Sequence, residues 1–408
     1  MTGRRDTKTV PIAANVVGGA ELSRVCLMIG QLGLGGAEKQ VVMLARGLVE
    51  RGIETTLLLL SERGPRETEL AGSGVRIVSL GYRGIPRPWV DLRGTLRDAA
   101  AAVRAFARLT AHLRRTRPQV FHCYLFHCYV AGAPAARLAR VPVCVAGRRS
   151  LGTFKEGRRA LLAVERGATR MTDFVVANAQ AVAEDALRQE GLPLDKITVI
   201  HNGMEERDFR AVAPADLVTD QPVVLCVANL RTYKGHQYLL DAVFRLQRRG
   251  HPCTLALIGD GPERLQLQQQ ADRLGIDVRF LGHRTDVPAF LARADVVVLP
   301  SLEEGLSNAV MEAMATGRPM VATAVGGTPE LLRDRGVLVP PADPEALAQG
   351  LHWMLTDRAA ASRLGKAARE WALEHLSADT MVDRHITLYR KLLGGGSARR
   401  SGETADGS

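Results

Sequence analysis

No Asp-x-Asp triplet occurs anywhere in this 408-residue sequence, which excludes a divalent metal held by paired aspartates at that spacing. No Cys-x-x-Cys pair occurs either. The six cysteines, Cys26, Cys123, Cys128, Cys144, Cys226 and Cys253, sit mostly in apolar runs and are expected to be buried thiols rather than a disulfide framework. His122-x4-His127 and Cys123-x4-Cys128 interleave, but alternation along a strand that runs into a helix start argues against a four-ligand metal site. The Gly-Lys-Ser/Thr ending of a P-loop is missing. Aromatic residues make up 4%, too few for a base-stacking platform, so no nucleic-acid partner is expected. No apolar run approaches the ~20 residues that span a bilayer, and the first residues lack the apolar core of a signal peptide. A cytoplasmic location is expected, with any membrane contact peripheral, at the inner face of the cell membrane.

Lysine is scarce and arginine abundant, 7 against 47. The excess is lopsided: residues 1–215 carry a net +12 and the remainder −1. A basic half suits an anionic surface or an acidic ligand.

Short apolar runs alternate with helical patterns. Seven runs, 25–29, 55–60, 75–80, 120–124, 141–146, 174–177 and 197–200, read as buried strands. Six more follow at 223–227, 254–258, 278–281, 296–299, 319–323 and 337–339. Strands that alternate with helices predict parallel sheets covered on both faces. The fold class is therefore α/β: two Rossmann-like doubly wound domains facing across a cleft, with ligands near the carboxyl ends of the strands. The expected divisions are a loose tail over 1–23, a first domain over 24–205, a linker over 206–221 and a second domain over 222–376. A late helix over 377–393 packs back on the first domain, and 394–408 form a disordered tail.

Three segments carry chemistry. Gly33-Leu-Gly-Gly-Ala-Glu38 follows the first strand and opens a helix, where free amides and the helix dipole suit an anion. Asn229-Leu-Arg-Thr-Tyr-Lys-Gly235 follows the first strand of the second domain. It projects Arg231 and Lys234, a clamp fit for a departing diphosphate. Pro300-Ser-Leu-Glu-Glu-Gly-Leu-Ser-Asn-Ala-Val-Met-Glu312 follows a further strand. Its carboxylates, Glu304 and Glu312, suit polyol hydroxyls, and its helix start suits phosphate.

These residues resemble the Glu-x7-Glu signature of family 4 glycosyltransferases, the group 1 transferases of GT-B fold. Gly35-Gly36-Ala37-Glu38, Ile200-His-Asn-Gly203, Lys234-Gly235, Gly259-Asp-Gly-Pro-Glu263, Leu281-Gly-His283 and Ala324-Val-Gly-Gly327 extend the resemblance over most of residues 25–390. It implies a retaining transferase that moves a sugar from a nucleotide sugar to a hydroxyl acceptor, in polysaccharide, glycolipid or cell-envelope glycan synthesis. Glu312 would hold the ribose, Glu304 the sugar, and the backbone near His283 the base. Arg231, Lys234 and amides near Leu306, Ser307 and Asn308 would hold the diphosphate, with Gly35 and Gly36 close to it. No cofactor or metal is implied, the cations standing in for one. Two positions depart from the family: Asn229 stands where its arginine is common, and Gly147-Arg-Arg-Ser150 where a histidine is. His127 and Arg148 are the acceptor-side candidates. A nucleotide-sugar hydrolase or epimerase, or a non-catalytic membrane-associated scaffold, would share these features.

The segment 92–115 reads as an amphipathic helix. Arg93, Arg97, Arg104, Arg108 and Arg115 share one face, with Leu92, Leu96, Val103 and Leu113 mainly to one side. Arg148, Arg149, Lys155, Arg158 and Arg159 form a second basic cluster. Either is a solvated face or a dock for anionic lipid beneath a lipid-linked acceptor.

Overall fold

The computed structural model describes residue 10, residues 21–82 and residues 92–402. The chain divides into two units: Met1–Gly203 with Ala378–Ser408, and Met204–Ser377.

In the first unit the strands are β1 (Arg24–Ile29), β2 (Glu54–Leu59), β3 (Arg76–Ser79), β4 (Val120–Tyr124), β5 (Val143–Arg148), β6 (Phe174–Ala177) and β7 (Ile197–Val199). They form one parallel sheet in the order β3-β2-β1-β4-β5-β6-β7. The helices used below are α1 (Gly36–Glu50), α2 (Leu92–Thr116), α3 (Phe126–Leu138), α4 (Arg159–Arg170) and α5 (Gln180–Glu190). In the second unit β8 (Val223–Val227), β9 (Thr254–Ile258), β10 (Val278–Gly282), β11 (Val296–Leu299), β12 (Met320–Thr323) and β13 (Val337–Val339) form a parallel sheet ordered β10-β9-β8-β11-β12-β13. Its helices include α6 (His236–Arg248), α7 (Arg264–Leu274), α8 (Val287–Arg293) and α9 (Asn308–Ala315). Each apolar run of the sequence is a strand, because strands covered on both faces need no polar alternation. In both sheets the order reverses beside the first strand, between β1 and β4 and between β8 and β11. Doubly wound sheets bind ligands at the carboxyl ends of such strands.

Several boundaries differ from expectation. Residues 206–221 pack on the second unit: Phe209 is buried, its carbonyl accepts from Arg369 Nη2 at 2.7 Å, and Ala215 N donates to Ala289 O at 2.8 Å. The last helix runs from Ala378 to Gly402, past the expected end at 393 and through Gly394 and Gly395. Glycine costs only about 1 kcal/mol against alanine inside a helix, and an established helix gains a bond for each residue added. This helix seats Met381, Val382, Ile386 and Tyr389 among Val41, Leu44 and Leu48 of α1. Gly47 makes room for it, since a Cβ there would lie 2.5 Å from Val382 Cγ2. Of the expected N-terminal tail, residues 1–9 and 11–20 lie outside the described residues, while the buried Val10 accepts a hydrogen bond from Gln180 Nε2 at 2.7 Å. Residues 403–408 also lie outside them.

On α2, Ala105, Leu109 and Leu113 face the core and Arg104, Arg108 and Arg115 are exposed. Val103, expected near the apolar side, is 67% exposed. It stands six residues from Leu109, which at about 100° per residue turns it well off the core face. The side chains of Leu92, Arg93, Leu96 and Arg97 lie outside the described residues.

His122 and His385 are fully buried in the first unit, and His236 is buried in the second. Burial drives all three toward the neutral form: His122 well below the ordinary value, His385 to about 3 and His236 to about 4. The unfolded chain, with histidines near 6.5, binds protons that the folded chain refuses. Their contribution is therefore complete above pH ~6.5 and is lost as pH falls, by about 1.4 kcal/mol per pH unit for each histidine. Urea unfolding followed from pH 7 to pH 5 is expected to show this loss. A flat profile would contradict it.

Candidate functional site

The second unit's site is built from the loops after β8 and β11. The chain after β8 closes in one tight turn, Thr232–Lys234, and leaves it through Gly235 at φ 69°. A Cβ on Gly235 would lie 2.0 Å from the Pro300 carbonyl oxygen, and Leu302 N donates to Tyr233 O at 2.8 Å. The two loops thus lie directly against each other.

That contact brings Lys234 Nζ to 2.6 Å from Glu304 Oε1. Ser301 Oγ donates to the same oxygen at 2.7 Å. Ser301 is itself fixed, its carbonyl accepting from Thr323 Oγ1 at 2.5 Å. Glu304 is only 8% exposed. Its other oxygen, Oε2, accepts no hydrogen bond among the described residues. One oxygen is therefore anchored by a cation and a hydroxyl, and the second remains able to accept from a ligand hydroxyl. Beside Lys234, the buried imidazole of His236 is held neutral by desolvation and then by the Lys234 charge, and its Nε2 lies 3.8 Å from Cys226 Sγ.

The backbone of Glu304 is gripped too. Gly326, at φ 52°, approaches so closely that a Cβ would sit 1.9 Å from the Glu304 carbonyl oxygen, and Gly327 N donates to Gly305 O at 2.7 Å. Gly326→Ala is expected to displace Glu304 and lower turnover about 100-fold, the usual consequence of an ångström's misplacement. Steady-state kinetics on a variant with native circular dichroism would check it. Near wild-type turnover would show that the carbonyl's position is immaterial.

The remaining donor-side residues of the sequence are distributed along the same end of the sheet. Leu306 and Ser307 are buried. Ser307 caps α9, its hydroxyl accepting from Val310 N at 3.5 Å. Asn308 opens α9 and half-buried Glu312 stands on its second turn. The positive end of the α9 dipole thus lies at Ser307 and Asn308, next to the Glu304 loop. Arg231 is exposed at the start of the Lys234 turn. His283 is exposed beyond β10, two strands from β8.

In the first unit Gly35 caps α1 and Gly36 is its first residue. The side chain of Glu38 folds back over this start: a Cβ on Gly35 would lie 2.3 Å from Glu38 Oε2. Desolvation raises this carboxyl above its ordinary value. Glu38 lines a cavity of about 830 Å³ at the carboxyl ends of β1 to β4, together with Leu60, Phe106, Leu125 and His127. Leu125, between β4 and α3, has φ 70° and ψ 155°. A side chain in that region is strained by ~1–3 kcal/mol, and such strain gathers at ligand sites. Exposed His127, two residues on, reaches the cavity from the first turn of α3.

Arg148 does not reach it. The sequence placed Arg148 in a loop on the acceptor side, but β5 runs on to include it and turns its side chain inward. Arg148 Nε and Nη2 bond both oxygens of Glu190, at 2.9 and 2.7 Å, and Nη2 bonds Thr169 Oγ1 at 2.8 Å. Its guanidinium lies 3.7 Å from the Tyr129 ring centre. Glu165, also buried, bonds Tyr129 and Lys155. Two cations and two carboxylates neutralise one another inside the unit, so Arg148 serves the fold. The same network buries Lys155, while Arg158 and Arg159 of the second basic cluster are exposed.

Sequence reasoning gave no role to Ser301 or Gly326. The nearest signal was their membership in Pro300-Ser301 and Ala324-Val-Gly-Gly327, whose partners in the fold, Thr323 for Ser301 and Glu304 for Gly326, each lie 22 residues away.

Residues 34–207 match the family described as Glycosyltransferase Family 4, and residues 221–357 match Glycosyl transferases group 1. The chain is 30% identical over 361 residues to the lipopolysaccharide core biosynthesis glycosyltransferase LpsE of Rhizobium meliloti, covering 87% of this chain and 95% of that one. It is 29% identical to the 2-deoxystreptamine N-acetyl-D-glucosaminyltransferase of Streptomyces fradiae, covering 90% and 94%. Among solved structures, Anabaena Alr3699/HepE in complex with UDP and glucose superposes with a TM-score of 0.76 at 23% identity, covering 89% and 98%.

Proposed function

This chain belongs to the family 4, group 1 glycosyltransferases and has their GT-B fold, and on that premise we propose that it transfers a sugar from a nucleotide sugar to an acceptor hydroxyl with retention at the anomeric carbon. The observation that carries the proposal is the divided carboxylate of Glu304, anchored through Oε1 by Lys234 and Ser301, with Oε2 accepting no hydrogen bond among the described residues. A sugar hydroxyl donates to Oε2. Lys234 and Arg231 neutralise the diphosphate as charge develops on it, with no metal required. The start of α9 adds its dipole, Glu312 takes the ribose hydroxyls, and the backbone at His283 meets the base. Gly35 and Gly36, at the start of α1, offer amides suited to an anion.

The bond from the anomeric carbon to the diphosphate oxygen breaks, and both electrons go to that oxygen. The acceptor oxygen forms its new bond on the face just vacated, and its proton passes to the departing phosphate. No protein carboxylate is needed as nucleophile.

The acceptor side is the cavity of the first unit, with His127 on its wall. The product belongs to polysaccharide, glycolipid or cell-envelope glycan synthesis, of which LpsE's printed role is one case. Arg104, Arg108 and Arg115, with exposed Val103, form a face that docks on anionic lipid at the inner side of the cell membrane. Among the described residues no helix is long and apolar enough to cross a membrane.

The test is a screen of UDP-, GDP- and ADP-sugars against the full-length protein, with the product's anomeric configuration read by proton NMR from the first minutes. Retention is the expected result. An inverted product would refute the same-face step, and no turnover or binding of any nucleotide sugar would refute the donor site.

A further inference from the structure

Arg148 and Arg149 are consecutive, yet they meet opposite electrostatic surroundings. Successive side chains of a strand point to opposite faces of its sheet. At the end of β5, Arg148 enters the face where Glu190 accepts from its Nε and Nη2. Arg149 enters the other face and meets the Tyr124 ring, which stacks on His122; His385 and Tyr389 pack against that histidine in turn. Gly147 makes this packing possible, since a Cβ there would lie 2.9 Å from Tyr124 Cδ1 and 3.2 Å from His122 Nε2.

Arg149 is 9% exposed, so its charge is largely removed from water. Its Nη1 donates to Asn202 Oδ1 at 2.7 Å, and its guanidinium lies 4.9 Å from the Tyr124 ring centre. Its Nε, the atom through which Arg148 reaches Glu190, is buried with no hydrogen-bond partner among the described residues. Among those residues no carboxylate pairs with Arg149, whereas buried Arg148 and Lys155 pair with Glu190 and Glu165. The histidines beneath it are neutral: desolvation above all, with the Arg149 charge contributing, holds His122 and His385 below the ordinary value. A buried cation without a countercharge is strongly unfavourable, and departures of this kind gather at functional sites.

Its place in the fold agrees. Doubly wound sheets bind ligands at the carboxyl ends of their strands, and Arg149 directly follows β5. Asn178, just past β6, donates through Nδ2 to the Arg149 carbonyl at 3.4 Å, and its buried Oδ1 has no partner among the described residues. A guanidinium suited to an oxyanion thus lies beside an amide oxygen suited to a hydroxyl.

We propose that Arg149 is the residue by which the first unit recognises an oxyanion, the carboxylate or phosphate of a hydroxylated sugar ring that serves as substrate. The proposal rests on the reading of the chain as a sugar transferase. It gives a task to Gly147-Arg-Arg-Ser150, the segment where this sequence departs from its family's histidine.

Glucuronate, glucose 6-phosphate and glucose share one ring and differ at C6 as carboxylate, phosphate and neutral alcohol. Each is titrated calorimetrically into the full-length protein at pH 7 and constant ionic strength. One of the two anions is expected to bind at least about tenfold more tightly than glucose, and the tighter one identifies the oxyanion. Arg149→Met is expected to erase this preference. Lys234→Ala, in the second unit, is expected to keep it, which separates Arg149 from the diphosphate clamp. Urea unfolding distinguishes a ligand-binding role from a structural one. Without ligand, Arg149→Met is expected to unfold at a midpoint no lower than that of wild type, because it removes a charge that has no countercharge. Equal affinities for the three rings, an anion preference that survives Arg149→Met or vanishes in Lys234→Ala, no binding of any ring, or a lowered midpoint in Arg149→Met would overturn the proposal. Nucleotide-sugar binding measured on the same preparation keeps the two readings apart. If a nucleotide sugar binds and the anion preference is absent, the inference alone fails. If no nucleotide sugar is bound or turned over, the reading beneath it fails.

Discussion

Lys234→Ala is expected to lower turnover by about 100- to 1,000-fold, the range seen when one preorganised electrostatic contact to a developing charge is removed. The substitution acts twice. On the proposed mechanism it deletes the cation that neutralises the departing diphosphate, and it strips Glu304 Oε1 of its 2.6 Å partner. Glu304 is almost fully buried, and among the described residues its carboxylate is then bonded only by Ser301 Oγ. Glu304→Gln separates these effects, since an amide oxygen still accepts from Ser301 and Lys234 remains. A double variant falling no further than Lys234→Ala alone would identify one shared unit. Single-turnover rates at saturating donor are the measurement, with thermal unfolding to verify the fold. A Lys234→Ala rate within tenfold of wild type would remove Lys234 from the mechanism.

Arg148→Met is expected to destabilise the first unit by about 3–5 kcal/mol, the range for breaking a buried ion pair from one side. Glu190 would lose both of its Arg148 contacts, and a buried network balanced by two cations would be left with two carboxylates and Lys155. The loss is a large share of an ordinary domain's stability. The double variant Arg148→Met with Glu190→Met removes the charges as a pair and is expected to recover much of it. Urea unfolding of the three variants measures this. A single variant within 1 kcal/mol of wild type would contradict the burial of a fully used guanidinium.

The same network marks where sequence reasoning stopped. Parallel strands show as unbroken apolar runs, so all thirteen were visible, from Val25 to Val339. Lys234 and Glu304 stood out because each follows a strand and each is a charge beside glycine. Gly147-Arg-Arg-Ser150 looked like a loop for the same reasons. What buries Arg148 is Glu190, 42 residues further on, and a strand that outlasts its apolar run by two residues. No local pattern encodes a partner at that distance.

The return of the last helix to α1 makes the first unit discontinuous in sequence, so residues 204–377 form an uninterrupted insert. Its two ends lie together: Met204 pairs with Ser377 in a short parallel bridge, and Met204 N donates to Leu376 O at 2.7 Å. A segment whose ends already touch can be lifted out and replaced by an equivalent segment without stretching the chain that receives it. On the proposed function, donor preference is expected to travel with residues 204–377 as a cassette, with junctions at Gly203/Met204 and Ser377/Ala378.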